Sequence, residues 1–328
     1  MIIHLHFHSR ATGVTRSIES TIPVLNNHSE AKVFGYGINA PKISLSALLR
    51  EVFSENRTII HAHRINEIIF ALLLRLAGGK FKLVFTRHSE SKPAALTNFL
   101  MKKADYLVSL SPAMSEILPA DNTTIRHGVN TGFYNISKKI SIDKIPQKNL
   151  VTVIGRLRPA KGQLVVLEAL LPLLRENPDW GLLMIGKNDN KKYEKEIIST
   201  AARNKILSQV HILPESKQII NYYHASTVIV IASVSEGFSL VCLEAMSCGL
   251  LTIATESVGI HSEVITHGEN GFLFPKNDPK SLREILADVI SGKINTDPRK
   301  IRQTILDNWS VEKSVSGLLK LYKDIAHN

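Results

Sequence analysis

The chain has 328 residues, 44% of them apolar, and a formal net charge of +11, the composition of a soluble globular protein long enough for two domains with separate cores. Its two cysteines, Cys242 and Cys248, have neither metal-ligand spacing nor a disulfide framework, and its longest apolar run, Ile68 to Leu74, is far too short to span a bilayer. These features exclude a disulfide scaffold and a membrane-spanning helix. With no basic n-region or long apolar stretch in the opening Met-Ile-Ile-His-Leu-His-Phe-His, a cytoplasmic protein is expected.

The positive charge is unevenly placed. Residues 1–149 carry 19 Lys/Arg against 10 Asp/Glu, whereas residues 150–328 carry 21 against 19. A basic front half points to an anionic partner: phospholipid head groups, an acidic glycolipid or nucleic acid. No zinc finger, RNP-like aromatic motif or helix-turn-helix pattern accompanies the charge, so nucleic acid is not expected.

In chain order, strand-like runs at 2–7, 31–36, 58–62, 81–86, 106–109 and 123–126 alternate with helical patterns at 14–25, 45–53, 65–77, 93–103 and 112–118. Such alternation predicts a parallel sheet with helices on both faces, whose ligands gather beyond the carboxyl ends of the strands. Three loops at those ends are rich in polar side chains: one holding Arg10, Gly13 and Thr15, one holding His61, His63 and Arg64, and one holding Arg87, His88 and Lys92. The first lacks the GxGxxG fingerprint, which argues against a dinucleotide-dependent oxidoreductase. Arg64 and the histidines suit an anionic substrate; His61 equally suits a satisfied core position.

His127-Gly128-Val129-Asn130 closes this series, and the Lys-rich stretch 137–148 reads as an interdomain linker. A second series follows, with strands at 150–154, 181–185, 210–213, 227–232, 251–254 and 271–274. Its helices fit 163–176, 192–205, 219–224, 238–247, 261–266, 279–291 and 298–307. Ser310 with Glu312 starts a last amphipathic helix over 311–325.

Two stretches of the second half carry chemistry. Gly155-Arg156-Leu-Arg158-Pro-Ala-Lys161-Gly162 follows its first strand and sets cations and glycines where a diphosphate needs neutralising, without the Gly-Lys-Ser/Thr of a P-loop. Ser235-Glu236-Gly237-Phe238-Ser239-Leu240 follows an apolar strand and opens a helix that carries Glu244. A helix N-terminus offers unpaired N–H groups to phosphate, and two carboxylates roughly 10 Å apart along the axis would accept sugar hydroxyls at either end of it. Alone, this turn also reads as an ordinary strand-to-helix connection with two surface glutamates.

Together, Gly155–Gly162 and Glu236–Ala245 resemble the family 4 retaining glycosyltransferases, in which two glutamates stand with seven residues between them. His127–Asn130 resembles that family's His-Gly-Val-Asp segment, and Gly268–Pro275 its Gly-x-x-Gly-Phe-Leu segment. The likeness is specific over 150–280 and looser before 130. It departs at Val258-Gly259-Ile260-His261, where the family often has paired glycines. The resemblance implies an α/β GT-B fold, two Rossmann-like βαβ domains facing each other across a cleft. It implies an acceptor domain at 1–148, a nucleotide-sugar domain at 149–310, and a last helix at 311–328 crossing back to the first.

Carried over by position, Arg156 and Lys161 hold the diphosphate and Glu236 the transferred sugar. Gly155, Gly237, Phe238, Ser239 and Leu240 surround sugar and phosphate, Glu244 takes the ribose, and Leu213 lies by the base. Gly13 and His88 lie near the reacting sugar, and Arg10, His63 and Arg64 are assigned to the acceptor. The chemistry implied is transfer of mannose, glucose or galactose from a GDP- or UDP-hexose with retention, with no bound metal or other cofactor. The first half is most like the mannosyl- and hexosyltransferases of the lipopolysaccharide inner core, which implies an anionic glycolipid acceptor at the inner face of the cytoplasmic membrane. Alternatives are a capsule or O-antigen transferase, a nucleotide-sugar 2-epimerase and a non-catalytic basic binding protein.

Overall fold

The computed structural model describes residues 1–10, 12–119 and 121–327. Contacts divide the chain into two compact units, one built from Met1–Asn130 together with the chain from Trp309 onward, the other from Thr131–Asn308.

In the first unit a six-stranded parallel sheet runs in the order β2 (Ala31–Tyr36), β1 (Ile2–Phe7), β3 (Ile59–Ala62), β4 (Lys82–Thr86), β5 (Tyr106–Ser109), β6 (Asn122–Thr124). The strands are apolar on both faces because helices cover both. Alternate residues divide between two cores. Ile2, Ile59 and Val84 pack with Ile18 and Ile22 of α1 (Gly13–Leu25) and with Val315 and Tyr322 of α13 (Val311–His327). Ile3, Ile60 and Leu83 pack with α2 (Leu45–Val52), α3 (Ile65–Leu76) and α4 (Ala95–Met101) through Leu48, Ile68 and Met101. α5 (Pro112–Glu116) joins β5 to β6.

The last helix thus completes the first unit's core. It is anchored where His127-Gly128-Val129 meets Trp309-Ser310-Val311: Val129 N–H donates to Trp309 O at 2.9 Å and Val311 N–H to Val129 O at 2.9 Å. The backbones approach so closely that a Cβ on Gly128 would lie 2.1 Å from Ser310 O.

The second unit repeats the plan, with strand order β12 (Phe272–Phe274), β11 (Leu251–Thr255), β10 (Val228–Ile231), β7 (Asn149–Ile154), β8 (Trp180–Ile185), β9 (Val210–Leu213). The helices are α6 (Gln163–Glu176), α7 (Lys191–Arg203), α8 (Ile219–Ala225), α9 (Leu240–Ser247), α10 (His261–Val264), α11 (Pro279–Ile290) and α12 (Pro298–Asn308). Val151, Val153, Leu182, Val228 and Val230 form its centre with Val166 and Leu170 of α6. The strand order reverses direction between β7 and β10, and such a switch point opens a crevice at the carboxyl edge.

Several expected boundaries shift. The helix expected from Phe238 begins at Leu240, because Ser239 takes a left-handed φ of +78° that no helix propagates. The helix expected over 93–103 is confined to Ala95–Met101, with Ala94 still extended. The helix expected over 261–266 is a single turn ending at Val264, since Ile265 is extended. The stretch 137–148 packs on the second unit: Lys139 Nζ donates to Asn149 Oδ1 at 3.1 Å and to Thr227 Oγ1 at 2.8 Å, and Ile140 N–H to His224 O at 3.2 Å.

Candidate active site

The switch point of the second sheet is where the two chemical stretches meet. β7 ends at Ile154, and Gly155–Lys161 turns across the carboxyl edge before α6. Gly162, which starts that helix, has φ +67°, and a Cβ there would lie 2.1 Å from Ala232 O, just past β10. The loop after β7 is thereby pressed onto the loop after β10, with Val234 N–H donating to Ala160 O at 3.0 Å.

That contact brings the Lys161 ammonium onto the Glu236 carboxylate in a mostly buried ion pair. Ser233 Oγ donates to the same carboxylate oxygen at 2.6 Å. Burial alone would push the Glu236 carboxyl up, but the Lys161 charge and the hydrogen bonds from Lys161 and Ser233 outweigh it and hold the group below the ordinary carboxylate range. Glu236 is therefore ionised at neutral pH. Arg156 lies half-buried on the same loop, and its guanidinium has no partner among the described residues; its carbonyl accepts from Gln163 Nε2 at 2.8 Å.

Gly237, Phe238 and Ser239 carry the chain from Glu236 into α9. Phe238 and Ser239 are buried, and Leu240 is half-buried. Ser239 Oγ is bonded at 2.8 Å to Nε2 of the buried His261, whose Nδ1 reaches Thr255 O at 2.8 Å. His261 stands in the segment that departs from the family pattern, so the histidine from the loop after β11 braces this turn. Glu244 is only 3% exposed, and Tyr223 Oη donates to its Oε2 at 2.5 Å. Leu213 ends β9 half-buried, its carbonyl accepting from Gly186 N–H at 3.1 Å.

Ser233, His261 and Tyr223 are contacts that sequence reasoning missed. Each belongs to a different strand-end loop or helix, and only the strand register reveals that they converge. For His261 a signal existed, as a histidine just past a predicted strand of the same sheet.

In the first unit the loops after β1 and β3 meet: Arg64 Nη2 donates to Thr12 Oγ1 at 2.9 Å, next to Gly13, the first residue of α1. Arg10 is exposed, and its carbonyl is bonded to His8 Nδ1 at 2.9 Å. His63 and His88 turn towards each other, with His63 Nδ1 and His88 Nε2 3.1 Å apart. His63 is 7% exposed, and its other nitrogen lies 3.0 Å from His4 Nδ1. The family assignment placed His63 on the acceptor and His88 near the reacting sugar; here both ring nitrogens of each are engaged inside the protein, His88 with His63 and His127, although His88 is only half-buried.

Two Rossmann-like units, with a Lys–Glu pair and a free guanidinium at the switch point of the second, define a GT-B glycosyltransferase. The chain belongs to the family described as glycosyl transferases group 1, whose model matches residues 136–305, just over half of the chain. It is similar to the lipopolysaccharide core biosynthesis mannosyltransferase LpsB of Rhizobium meliloti (strain 1021), with 29% identity covering 99% of this chain and 97% of that protein. It is also similar to LpcC of Rhizobium leguminosarum bv. viciae, a protein of the same description, with 26% identity over 99% and 96%. Anabaena Alr3699/HepE in complex with UDP has the same fold, at a TM-score of 0.78 and 19% identity over 98% of this chain and 99% of that one. The protein is a glycosyltransferase.

Proposed function

We propose that the chain moves a hexose from a nucleotide-diphosphate sugar, with retention, to an anionic glycolipid of the lipopolysaccharide inner core. The observation that carries the donor half is the meeting of Lys161, Glu236 and Arg156 at one switch point. Bond cleavage leaves negative charge on the departing diphosphate. Arg156 and Lys161 are placed on one loop to meet that charge, and such preorganised stabilisation is usually the largest catalytic term. Glu236, kept ionised, accepts hydroxyl hydrogens of the transferred sugar, and Glu244 those of the ribose. The cations do the work of a metal in this reading, so none is required. The UDP bound by HepE and the mannosyltransferase descriptions of LpsB and LpcC agree with a nucleotide sugar and with mannose as first candidate.

A feature of the first unit supports the acceptor half. On the adjoining helices α3 and α4, Leu73 is 60% exposed, Leu76 85%, Leu96 65% and Phe99 57%. Lys102 and Lys103 stand beside them, with Lys103 Nζ 5.2 Å from the centre of the Phe99 ring. An apolar patch rimmed by lysines is suited to the interface of an anionic bilayer, where the acceptor lipid resides. No described helix is long and apolar enough to cross a membrane.

The deciding experiment is a thermal-shift and calorimetry panel of UDP, GDP, ADP and their sugars. One nucleotide diphosphate should stabilise the protein, and Lys161→Ala or Arg156→Ala should lower turnover by roughly 100-fold or more. Absence of any nucleotide binding, or near wild-type turnover in both variants, overturns the donor assignment. Sugar release from the nucleotide sugar with epimerisation and no acceptor would favour the 2-epimerase.

A further inference from the structure

Four histidines at the strands of the first unit share one face of its sheet. His4 and His6 follow Ile2 at a spacing of two, and His61 and His63 follow Ile59, so period-two alternation turns these rings to the side covered by α1 and α13. His6 leaves the cluster, bonding Thr15 Oγ1 at 3.0 Å. The others, with His88 and His127 from the loops after β4 and β6, form a continuous hydrogen-bonded chain. Ser17 Oγ lies 2.8 Å from His127 Nδ1, His127 Nε2 3.1 Å from His88 Nδ1, and His88 Nε2 3.1 Å from His63 Nδ1. His63 Nε2 is 3.0 Å from His4 Nδ1, and His4 Nε2 is 3.4 Å from Tyr322 Oη. Tyr322 Oη continues to His61 Nδ1 at 2.5 Å, and His61 Nε2 ends on Thr86 Oγ1 at 2.7 Å.

The chemistry of neutral imidazole restricts this chain severely. Each ring has one N–H and one bare nitrogen, and both nitrogens of every ring are used. Once the donor in one N···N contact is chosen, every other contact is fixed. Only two orders satisfy all groups. In one, Ser17 donates to His127 and every histidine carries its proton on Nε2, ending with His61 donating to Thr86. In the other every bond is reversed and every histidine is protonated on Nδ1. A single ring in the wrong tautomer would set two buried lone pairs, or two N–H groups, against each other, at the cost of a buried unsatisfied polar group.

Three nitrogens of His4, His61 and His63 lie within 4.8 Å of one another, as a metal cage requires. Those nitrogens are already engaged: His63 Nε2 with His4 Nδ1 at 3.0 Å, His4 Nε2 and His61 Nδ1 with Tyr322 Oη at 3.4 and 2.5 Å. His4 and both partners thus spend their nitrogens on one another, on Tyr322 Oη, on Thr86 Oγ1 and on His88, and none is left for an ion.

The geometry points to a single proton-ordered imidazole relay, Ser17–His127–His88–His63–His4–Tyr322–His61–Thr86, in which His63 and His4 are positioning residues that fix the tautomer and ring orientation of His88 for glycosyl transfer. The inference deepens the proposed function and rests on that reading, and on the family resemblance for the placing of His88 near the reacting sugar. Reversal of the order shifts the proton of each ring from Nε2 to Nδ1 and re-orients the Ser17, Tyr322 and Thr86 hydroxyls, and takes up no net proton. Burial of the five rings disfavours charge on them. Among the described residues no carboxylate is bonded to His4, His61, His63 or His88, and Glu67 spends its oxygens on the N–H groups of Phe7, His63 and Arg64. Arg64, at the start of α3, opposes a second positive charge, and Arg87 is turned away onto Ser91 O. From α13 the Tyr322 hydroxyl is bonded to the relay, and from α1 that of Ser17.

The test uses the full chain labelled with 15N-histidine. In the wild type the four rings from His127 to His4 should share one tautomer and stay neutral from pH 8 to about pH 5.5, below the ordinary histidine value. His63→Leu should change the tautomer balance of His88 and of His127 together, and lower kcat by roughly tenfold or more while donor KM stays within about twofold. His63→Gln, which both donates and accepts, should restore much of kcat. Tyr322→Phe, which removes one oxygen and no ring, should shift His4 and His61 without unfolding the unit. Mixed or independently titrating tautomers in the wild type, or stoichiometric Zn2+ uptake lost in His4→Leu, would overturn the relay. Calorimetry with UDP and GDP runs beside these measurements: absence of nucleotide binding defeats the transferase reading of the donor site, while the tautomer pattern still decides the relay.

Discussion

Lys161 and Glu236 neutralise each other before any substrate arrives, so neither is a free charge in the resting site. In the proposed reaction, a diphosphate taking a share of the ammonium would loosen its hold on Glu236 and leave that carboxylate to a sugar hydroxyl. The pair has a pH signature. The Glu236 carboxyl lies below its ordinary value, so its stabilisation is fully present above that ordinary value and is lost as pH falls through the lowered one. Nucleotide binding should therefore hold steady from neutral pH down into the ordinary carboxylate range and fail only below it, as calorimetry across pH would record. Glu236→Gln should cost about 1–3 kcal/mol by leaving the Lys161 ammonium without its charged partner, measured by urea unfolding. It should also blunt discrimination between hexoses that differ at one hydroxyl. Of this site, Arg156, Lys161, Glu236 and Glu244 were legible because each lies within a short local pattern. Tyr223 under Glu244 and His261 behind Ser239 were not, because such contacts join segments 21 and 22 residues apart through strand register.

Among the elements, the strands were the most legible, since apolar β-branched runs bounded by polar loops leave little choice. The helix after Glu236 was misplaced by two residues because nothing in Phe238-Ser239-Leu240 announces a left-handed serine; that conformation is imposed by His261 and the loop after β11. The glycines mark where elements press together. Gly128→Ala should detach α13 from the first sheet, because its Cβ would run into backbone at Ser310 and cannot be relieved by a side-chain rotation. The expected result is a large fall in thermal stability with nucleotide binding retained. Gly162→Ala should do the converse, forcing the loop after β7 off β10 and abolishing nucleotide binding.

At the scale of the molecule, the buried histidines make stability depend on acid. His4 is lowered to about 3 by burial, below the 6.5 of an exposed ring. An unfolded chain takes up the proton that the folded one refuses. Each such ring therefore removes about 1.4 kcal/mol of stability per pH unit on going below 6.5. Melting temperature should fall steeply between pH 6.5 and 5, and less steeply in His4→Leu. Liposome sedimentation tests the lipid face: Leu76→Asp with Phe99→Asp should abolish binding to anionic vesicles and leave nucleotide binding intact. The basic front half was readable from composition, but its pairing with exposed leucines needed α3 and α4 folded side by side. Finally, the first unit draws its core from both ends of the chain, whereas the second is one uninterrupted stretch. On a translating ribosome, the second unit is therefore the first that can be finished. The stretch 1–130 must wait, with one sheet face covered only in part by α1, until α13 emerges. Tyr322, the link between His4 and His61, arrives in that helix, so the relay closes only once α13 has been made.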